Sequence, residues 1–83
     1  MKNNNIKQLV EALTKANNYD EMLDLLEGLL TVGELEEISI RLQIVKLLKS
    51  GVSQREISTK LKVGIATVTR GSREIKHGRF ANI

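Results

Sequence analysis

The stretch SQREISTKLKVGIATVTRGS, residues 53–72, decides the fold. Its first four residues, Ser53-Gln54-Arg55-Glu56, have the spacing in which a hydroxyl and a carboxylate three residues apart satisfy free backbone N–H groups at a helix start. A helix from about Gln54 would turn Ile57 and Leu61 inward, and Lys62-Val63-Gly64 breaks it after little more than two turns. A second helix follows from about Ile65, with Val68 and Ile75 on its inner side and Thr67, Thr69, Arg70 and Arg73 around the rest. Two short helices joined by a tight turn make a helix-turn-helix. Ile57, Leu61, Val63, Ile65 and Val68 would set the angle between them, leaving the N-terminal end of the second helix free to enter a major groove.

The composition of that free end suits a duplex. Gly64, Ile65, Ala66 and Thr67 are compact, so the backbone can approach base edges, and both apolar contact with a thymine methyl and hydroxyl contact with bases are available. Arg55 can reach guanine O6 and N7 with two parallel bonds. Ser53, Gln54, Lys60 and Lys62 lie where phosphates pass, helped by the partial positive charge at the start of the reading helix. The alternative is a solvated helical hairpin whose polar face has no partner. One residue departs from the motif: Lys62 stands at the turn position where glycine is usual, and a left-handed non-glycine residue costs about 1–2 kcal/mol.

Charge divides the chain the same way. Residues 1–40 carry three lysines against eight acids, a balance of −5, while residues 41–83 carry ten Lys or Arg against two acids, a balance of +8. A basic C-terminal half favours a polyanion, because each neutralised phosphate releases condensed counterions. With no cysteine and a single histidine there is no disulfide framework and no cluster for a zinc site, which fits a reducing, cytoplasmic setting. No apolar run approaches the roughly 20 residues that cross a bilayer, and MKNNN lacks the apolar core of a secretion signal, so a soluble, unprocessed chain is expected. No nucleophile with a base, metal-spaced ligand set or phosphate-binding glycine loop points to an enzyme; Glu36 and Glu37 fit a solvated face.

Upstream, the absence of proline and of alternating strand patterns predicts an all-α chain of short helices. Ile6, Leu9, Val10 and Leu13 form a one-sided stripe that Asn17-Asn18-Tyr19 interrupts. Asn18 with Glu21 opens a second helix carrying Met22, Leu25, Leu26 and Leu29 to about Leu30. Thr31-Val32-Gly33-Glu34 repeats the capping pattern and starts a third helix, roughly Gly33 to Lys49, which Ser50-Gly51 stops. That helix has Leu35, Ile38, Leu42 and Val45 on one face and Ile40, Ile44 and Leu47 on another. Two apolar faces need two partners, either a second copy of the chain or a wrap of the first two helices. The expected organisation is 1–50 as core and dimer interface, 51–76 as DNA-binding head and 77–83 as a tail.

These residues resemble the tryptophan operon repressor family, most of all LLTVGELEEISIRLQIVKLL, SQREISTKL and GIATVTRGS, within the run from Leu30 to Lys76. The resemblance implies an intertwined homodimer with two helix-turn-helix heads on double-stranded DNA, their spacing set by a bound L-tryptophan corepressor. The family's corepressor pocket maps onto Leu30, Thr31, Arg41, Thr67, Arg70 and Gly71, and its DNA-reading positions onto Gln54, Arg55, Ile65, Ala66, Thr67 and Thr69. Independently of the family, two guanidiniums from separate elements can sandwich a planar indole while one grips a carboxylate with two bonds. Taken singly, Arg41 could instead pair with Glu37, and Arg70 could bind a phosphate.

Three departures stand out. Glu74 replaces a small hydroxyl residue near the ligand's ammonium; its carboxylate could pair with that ammonium, or swing onto Arg41 or Arg70 and occupy the site itself. Gly28 replaces a leucine whose backbone contributes to the pocket. Last, KHGRFANI leaves no room for the family's final helix, so Phe80 either packs across the dimer or belongs to an exposed flexible tail, and His77 is solvated. The readings left beside a ligand-controlled repressor are a DNA-binding regulator that needs no ligand and a helical dimerisation module whose basic half binds an acidic protein surface.

Overall fold

A computed structural model describes residues 2–83, and among these every regular element is an α-helix: α1 (Lys2–Lys15), α2 (Tyr19–Leu29), α3 (Val32–Lys49), α4 (Gln54–Leu61) and α5 (Ile65–Lys76). The helix starts are set by side chains. Asn18 Oδ1 accepts the Glu21 N–H at 2.9 Å, and the Glu21 carboxylate reaches back to the Asn17 N–H at 2.8 Å. Thr31 Oγ1 accepts from Glu34 N at 3.1 Å while the Glu34 carboxylate accepts from Thr31 N at 2.9 Å, closing both halves of the expected box. At α4 the hydroxyl half is made, Ser53 Oγ accepting from Glu56 N at 3.2 Å. Each such cap contributes about 0.5–2 kcal/mol to its helix.

The stops are equally local. After α3, Gly51 takes φ +92°, and Val52 N donates to Leu47 O at 3.1 Å, folding the chain back sharply. After α4 the left-handed residue is Lys62, at φ 57° and ψ 47°. The turn tolerates it because the Ser58 carbonyl accepts from Val63 N at 3.1 Å while the Ser58 hydroxyl donates to Val63 O at 2.6 Å. Lys62→Gly is therefore expected to stabilise the head: it removes about 1–2 kcal/mol of left-handed strain and costs about 0.4–1 kcal/mol in unfolded-chain entropy. A net gain of about 0.5–1 kcal/mol by urea unfolding is the expected result; a loss would mean that the lysine itself is needed in the turn.

The chain divides into two compact units between Leu35 and Glu36, within α3. In the second unit Ile44 of α3, Ile57 of α4 and Val68 of α5 are fully buried against one another, with Leu47, Leu48, Val52, Leu61 and Val63 packed around them. The C-terminal half of α3 is thus the floor on which the helix-turn-helix stands. Ile44 and Val45, placed on different faces by periodicity, are both buried. Ile65 departs from expectation: it is 51% exposed, because as the first residue of α5 it precedes the turn that packs. Ile38, Ile40 and Leu42 remain exposed on α3. In the first unit Ile6, Leu9 and Val10 of α1 and Leu29 of α2 are exposed as well, and α2 has no fully buried residue.

The tail, expected either to pack across a dimer or to be exposed, is exposed throughout and is tied to α3. Residues 77–82 form successive turns, and the Lys49 ammonium donates to the backbone oxygens of Phe80, at 2.5 Å, and Ile83, at 2.9 Å. The Phe80 backbone is thereby held to α3, while the residue as a whole remains exposed.

Candidate nucleic-acid interface and ligand pocket

Exposure of the helix-turn-helix follows from how its core is built. Val68 and Ile57 are buried, so the residues on the opposite face of each helix point outward. Ser53, Arg55, Lys60, Lys62, Gly64, Ile65, Ala66 and Thr67 are all exposed. Arg55 and Lys60 are on α4; Gly64 is the N-cap of α5, with no side chain of its own to bond the free N–H groups there. Those unfilled donors and the helix dipole leave a local positive end suited to a phosphate oxygen.

Gln54 and Thr69 are half-buried. The Thr69 hydroxyl lies 2.8 Å from Gln54 Oε1 and 2.9 Å from Ile65 O, and its single proton can serve one of them at a time. This contact ties the start of α4 to the middle of α5, and it leaves the Gln54 amide NH₂ as the free donor of that side chain. Both residues were expected to face DNA; the geometry adds that they brace the two helices against each other.

On the other side of α5 is a cavity of about 430 Å³ lined by Arg41, Ile44 and Val45 of α3, Ala66, Thr67, Arg70, Gly71 and Glu74 of α5, and Arg79 and Phe80 of the tail. Its size falls within the roughly 300–1,000 Å³ of small-molecule sites. Five residues expected to hold a corepressor, Arg41, Thr67, Arg70, Gly71 and Glu74, come together here. Leu30 and Thr31 are in the first unit, where Thr31 caps α3, and they are not among the lining residues.

Gly71 has a packing reason to be glycine. A Cβ there would lie 3.3 Å from Ile44 Cγ2 and 3.5 Å from Leu48 Cδ1, so α5 approaches α3 closely enough that a larger residue would require the Ile44 side chain to give by a few tenths of an ångström. That approach forms one end of the pocket.

The charged groups are arranged unequally. Among the described residues the ion pair formed is Arg79 Nε to Glu74 Oε1, at 3.7 Å. Glu74 is therefore directed to the tail, and Arg41 is not paired with Glu37. The Arg41 and Arg70 guanidiniums border an apolar floor of Ile44 and Val45 without a carboxylate partner, an arrangement suited to a planar apolar body carrying a carboxylate. Arg79, Phe80, Ile44 and Val45 were absent from the sequence-based set. The two α3 residues could have been found from the i+3 and i+4 spacing that follows Arg41; nothing in the sequence placed the tail here.

No helix is long and apolar enough to cross a membrane, and no cluster of metal-ligating side chains occurs among the described residues.

Residues 4–81 match the family model described as Trp repressor protein. Proteins named Trp operon repressor homolog are similar along most of the chain. That of Vibrio campbellii is 44% identical over 71 residues, covering 84% of this chain and 71% of that protein. Those of Vibrio cholerae and Xylella fastidiosa are 42% and 37% identical over 71 residues, covering 84% of this chain and 69% and 77% of the respective proteins. No solved structure matches the chain. With the helix-turn-helix, the α3 floor and a match spanning nearly all of its length, the chain belongs to the Trp repressor family, a family of DNA-binding transcription regulators and not of enzymes.

Proposed function

We infer that this chain is a sequence-specific transcriptional repressor that binds double-stranded DNA as a homodimer and is controlled by an amino-acid corepressor, L-tryptophan, in the pocket beneath α5. The observation that carries this reading is that one helix serves both surfaces. Residues Ile65 to Thr67 begin α5 at an exposed end, and Thr67, Arg70, Gly71 and Glu74 of the same helix line the cavity.

A ligand filling that cavity would brace α5 against α3, and so favour one orientation of the reading end. Because only differential affinity for two orientations shifts a population, the ligand must fit the DNA-competent one better. The indole would lie between the Arg41 and Arg70 guanidiniums, its carboxylate gripped by one of them. The Glu74–Arg79 pair leaves both arginines open to it, which favours ligand control over a carboxylate-plugged, ligand-independent regulator.

A second copy is the occupant that best suits the exposed apolar residues of α1 and α3. Ile6, Leu9, Val10, Ile38, Ile40 and Leu42 are all exposed, and a chain of 83 residues buries too small a share of its surface alone not to gain from covering them. Two copies then present two reading ends to successive major grooves.

The reading is tested by anisotropy titration of a selected operator duplex across a range of salt concentrations. L-tryptophan is expected to tighten binding at least about fivefold, the lower end of ordinary coupling between sites. The slope of log K against log salt is expected to stay the same, since the number of neutralised phosphates does not change. Equal affinity with and without tryptophan would remove the corepressor, and equal affinity for operator and random duplex would leave only the protein-interaction module.

A further inference from the structure

We propose that the tail Gly78–Ile83 is a strap acting within its own chain, pinned by Lys49, that sets Arg79 on Glu74 as an internal substitute for a ligand's ammonium and so governs which carboxylates the pocket accepts. The proposal rests on the reading of the cavity as an amino-acid site.

The strap is built, not merely draped. Gly78 takes φ +91° and donates to Ile75 O at 3.0 Å, which turns the chain back at the end of α5. The next amide, Arg79 N, donates to Glu74 O at 3.0 Å. Phe80 then adopts φ +63°, a conformation that non-glycine residues avoid and keep only where surroundings enforce it. The turn is closed by Ile83 N donating to Phe80 O at 3.1 Å and by the Lys49 ammonium, which bridges the Phe80 and Ile83 backbone oxygens. Pinned this way, Arg79 and Phe80 form one wall of the cavity, which stays open beside them.

The consequence is electrostatic. Glu74 is the sole carboxylate among the lining residues, hence the group that would recognise an α-ammonium. Arg79 stands 3.7 Å from it, and the pair is open to solvent, the two side chains being 73% and 35% exposed. An exposed pair of this length is weak and exchangeable. An incoming amino acid must therefore compete with Arg79 for Glu74, whereas the same acid without its amino group meets Arg41 and Arg70 and leaves Glu74 to Arg79. The strap lowers discrimination in favour of amino acids.

Calorimetric titration of the full chain with L-tryptophan and with 3-(indol-3-yl)propanoate, identical but for the amino group, tests this. Arg79→Gln is expected to raise the affinity ratio in favour of tryptophan by about two- to fivefold, the range of an exposed ion pair, and Arg79→Lys to restore the wild-type ratio. Lys49→Met, which leaves every lining side chain in place, is expected to speed hydrogen exchange at the Arg79 and Ile83 amides and to move the ratio in the same direction as Arg79→Gln. An unchanged ratio in Arg79→Gln overturns the proposal while leaving tryptophan binding intact. Unprotected Arg79 and Ile83 amides in the wild type also overturn it. If the wild type binds neither compound, the amino-acid reading and this proposal fall together.

Discussion

Ile57→Ala is expected to lower the unfolding free energy by about 2–5 kcal/mol, the range for deleting a buried branched side chain and leaving a cavity. Ile57 is fully buried and is the residue of α4 that meets both Ile44 of α3 and Val68 of α5. Few other groups can fill the space. The surrounding cluster is small, and its remaining members are only partly buried, so collapse around the cavity would itself move α4 against α5. Because small domains are stable by only about 5–15 kcal/mol, the change should be visible as a large shift in the urea midpoint. Comparison at equal protein concentration is needed, since a dimer's stability depends on it. A loss below about 1 kcal/mol would show that Ile57 is not at the centre of the head. The same variant is expected to lose operator binding at temperatures where it is still mostly folded, because the angle between the two short helices depends on this contact.

The second large effect concerns specificity. Arg55→Ala should cost about 1–3 kcal/mol at the operator and flatten preference at one base pair, as removal of a two-pronged guanine contact does. Lys60→Ala, on the same helix and equally exposed, should weaken operator and random duplex alike and reduce the salt slope by about 1. The two residues differ in what their side chains can do. A guanidinium presents parallel donors matched to a base edge, while an ammonium is a point charge suited to phosphate. Binding measured for both variants against operator and single-base variants, over a range of salt, separates the roles. Identical profiles would mean that Arg55 also contacts only the backbone.

Much of this is legible in the sequence. The capping residues Asn18, Thr31 and Ser53 marked three helix starts within about one residue, because a cap is a local bond between residues three apart and depends on nothing distant. Gly51 and Lys62 marked two stops, and Lys62 carries its left-handed backbone as the motif demands. The pairing of Ile57 with Val68 followed from periodicity. Four of the five expected corepressor residues in the cavity are there for a related reason: Thr67, Arg70, Gly71 and Glu74 recur at three- and four-residue spacing on α5 and so share a face.

What periodicity did not settle was which of several apolar faces would find a partner. On α3 apolar residues occur nearly all round the helix, so spacing alone selects no face; the docking of α4 and α5 chose Ile44 for burial, while Ile38, Ile40 and Leu42 remain outside. Gln54 and Thr69 illustrate the same limit for polar groups, since a hydroxyl and an amide fifteen residues apart meet only when two helices cross at one angle. The tail shows it most plainly. Lys49 and Phe80 are 31 residues apart, and nothing in KHGRFANI announces that its backbone oxygens will be held by a lysine of α3. Local order, from caps, turns and helix faces, was written in neighbouring residues because its bonds span a few positions. The wall that Arg79 and Phe80 add to the pocket, the partner of Glu74 and the choice of buried face were decided by tertiary structure, because each is a contact between segments that sequence spacing leaves free.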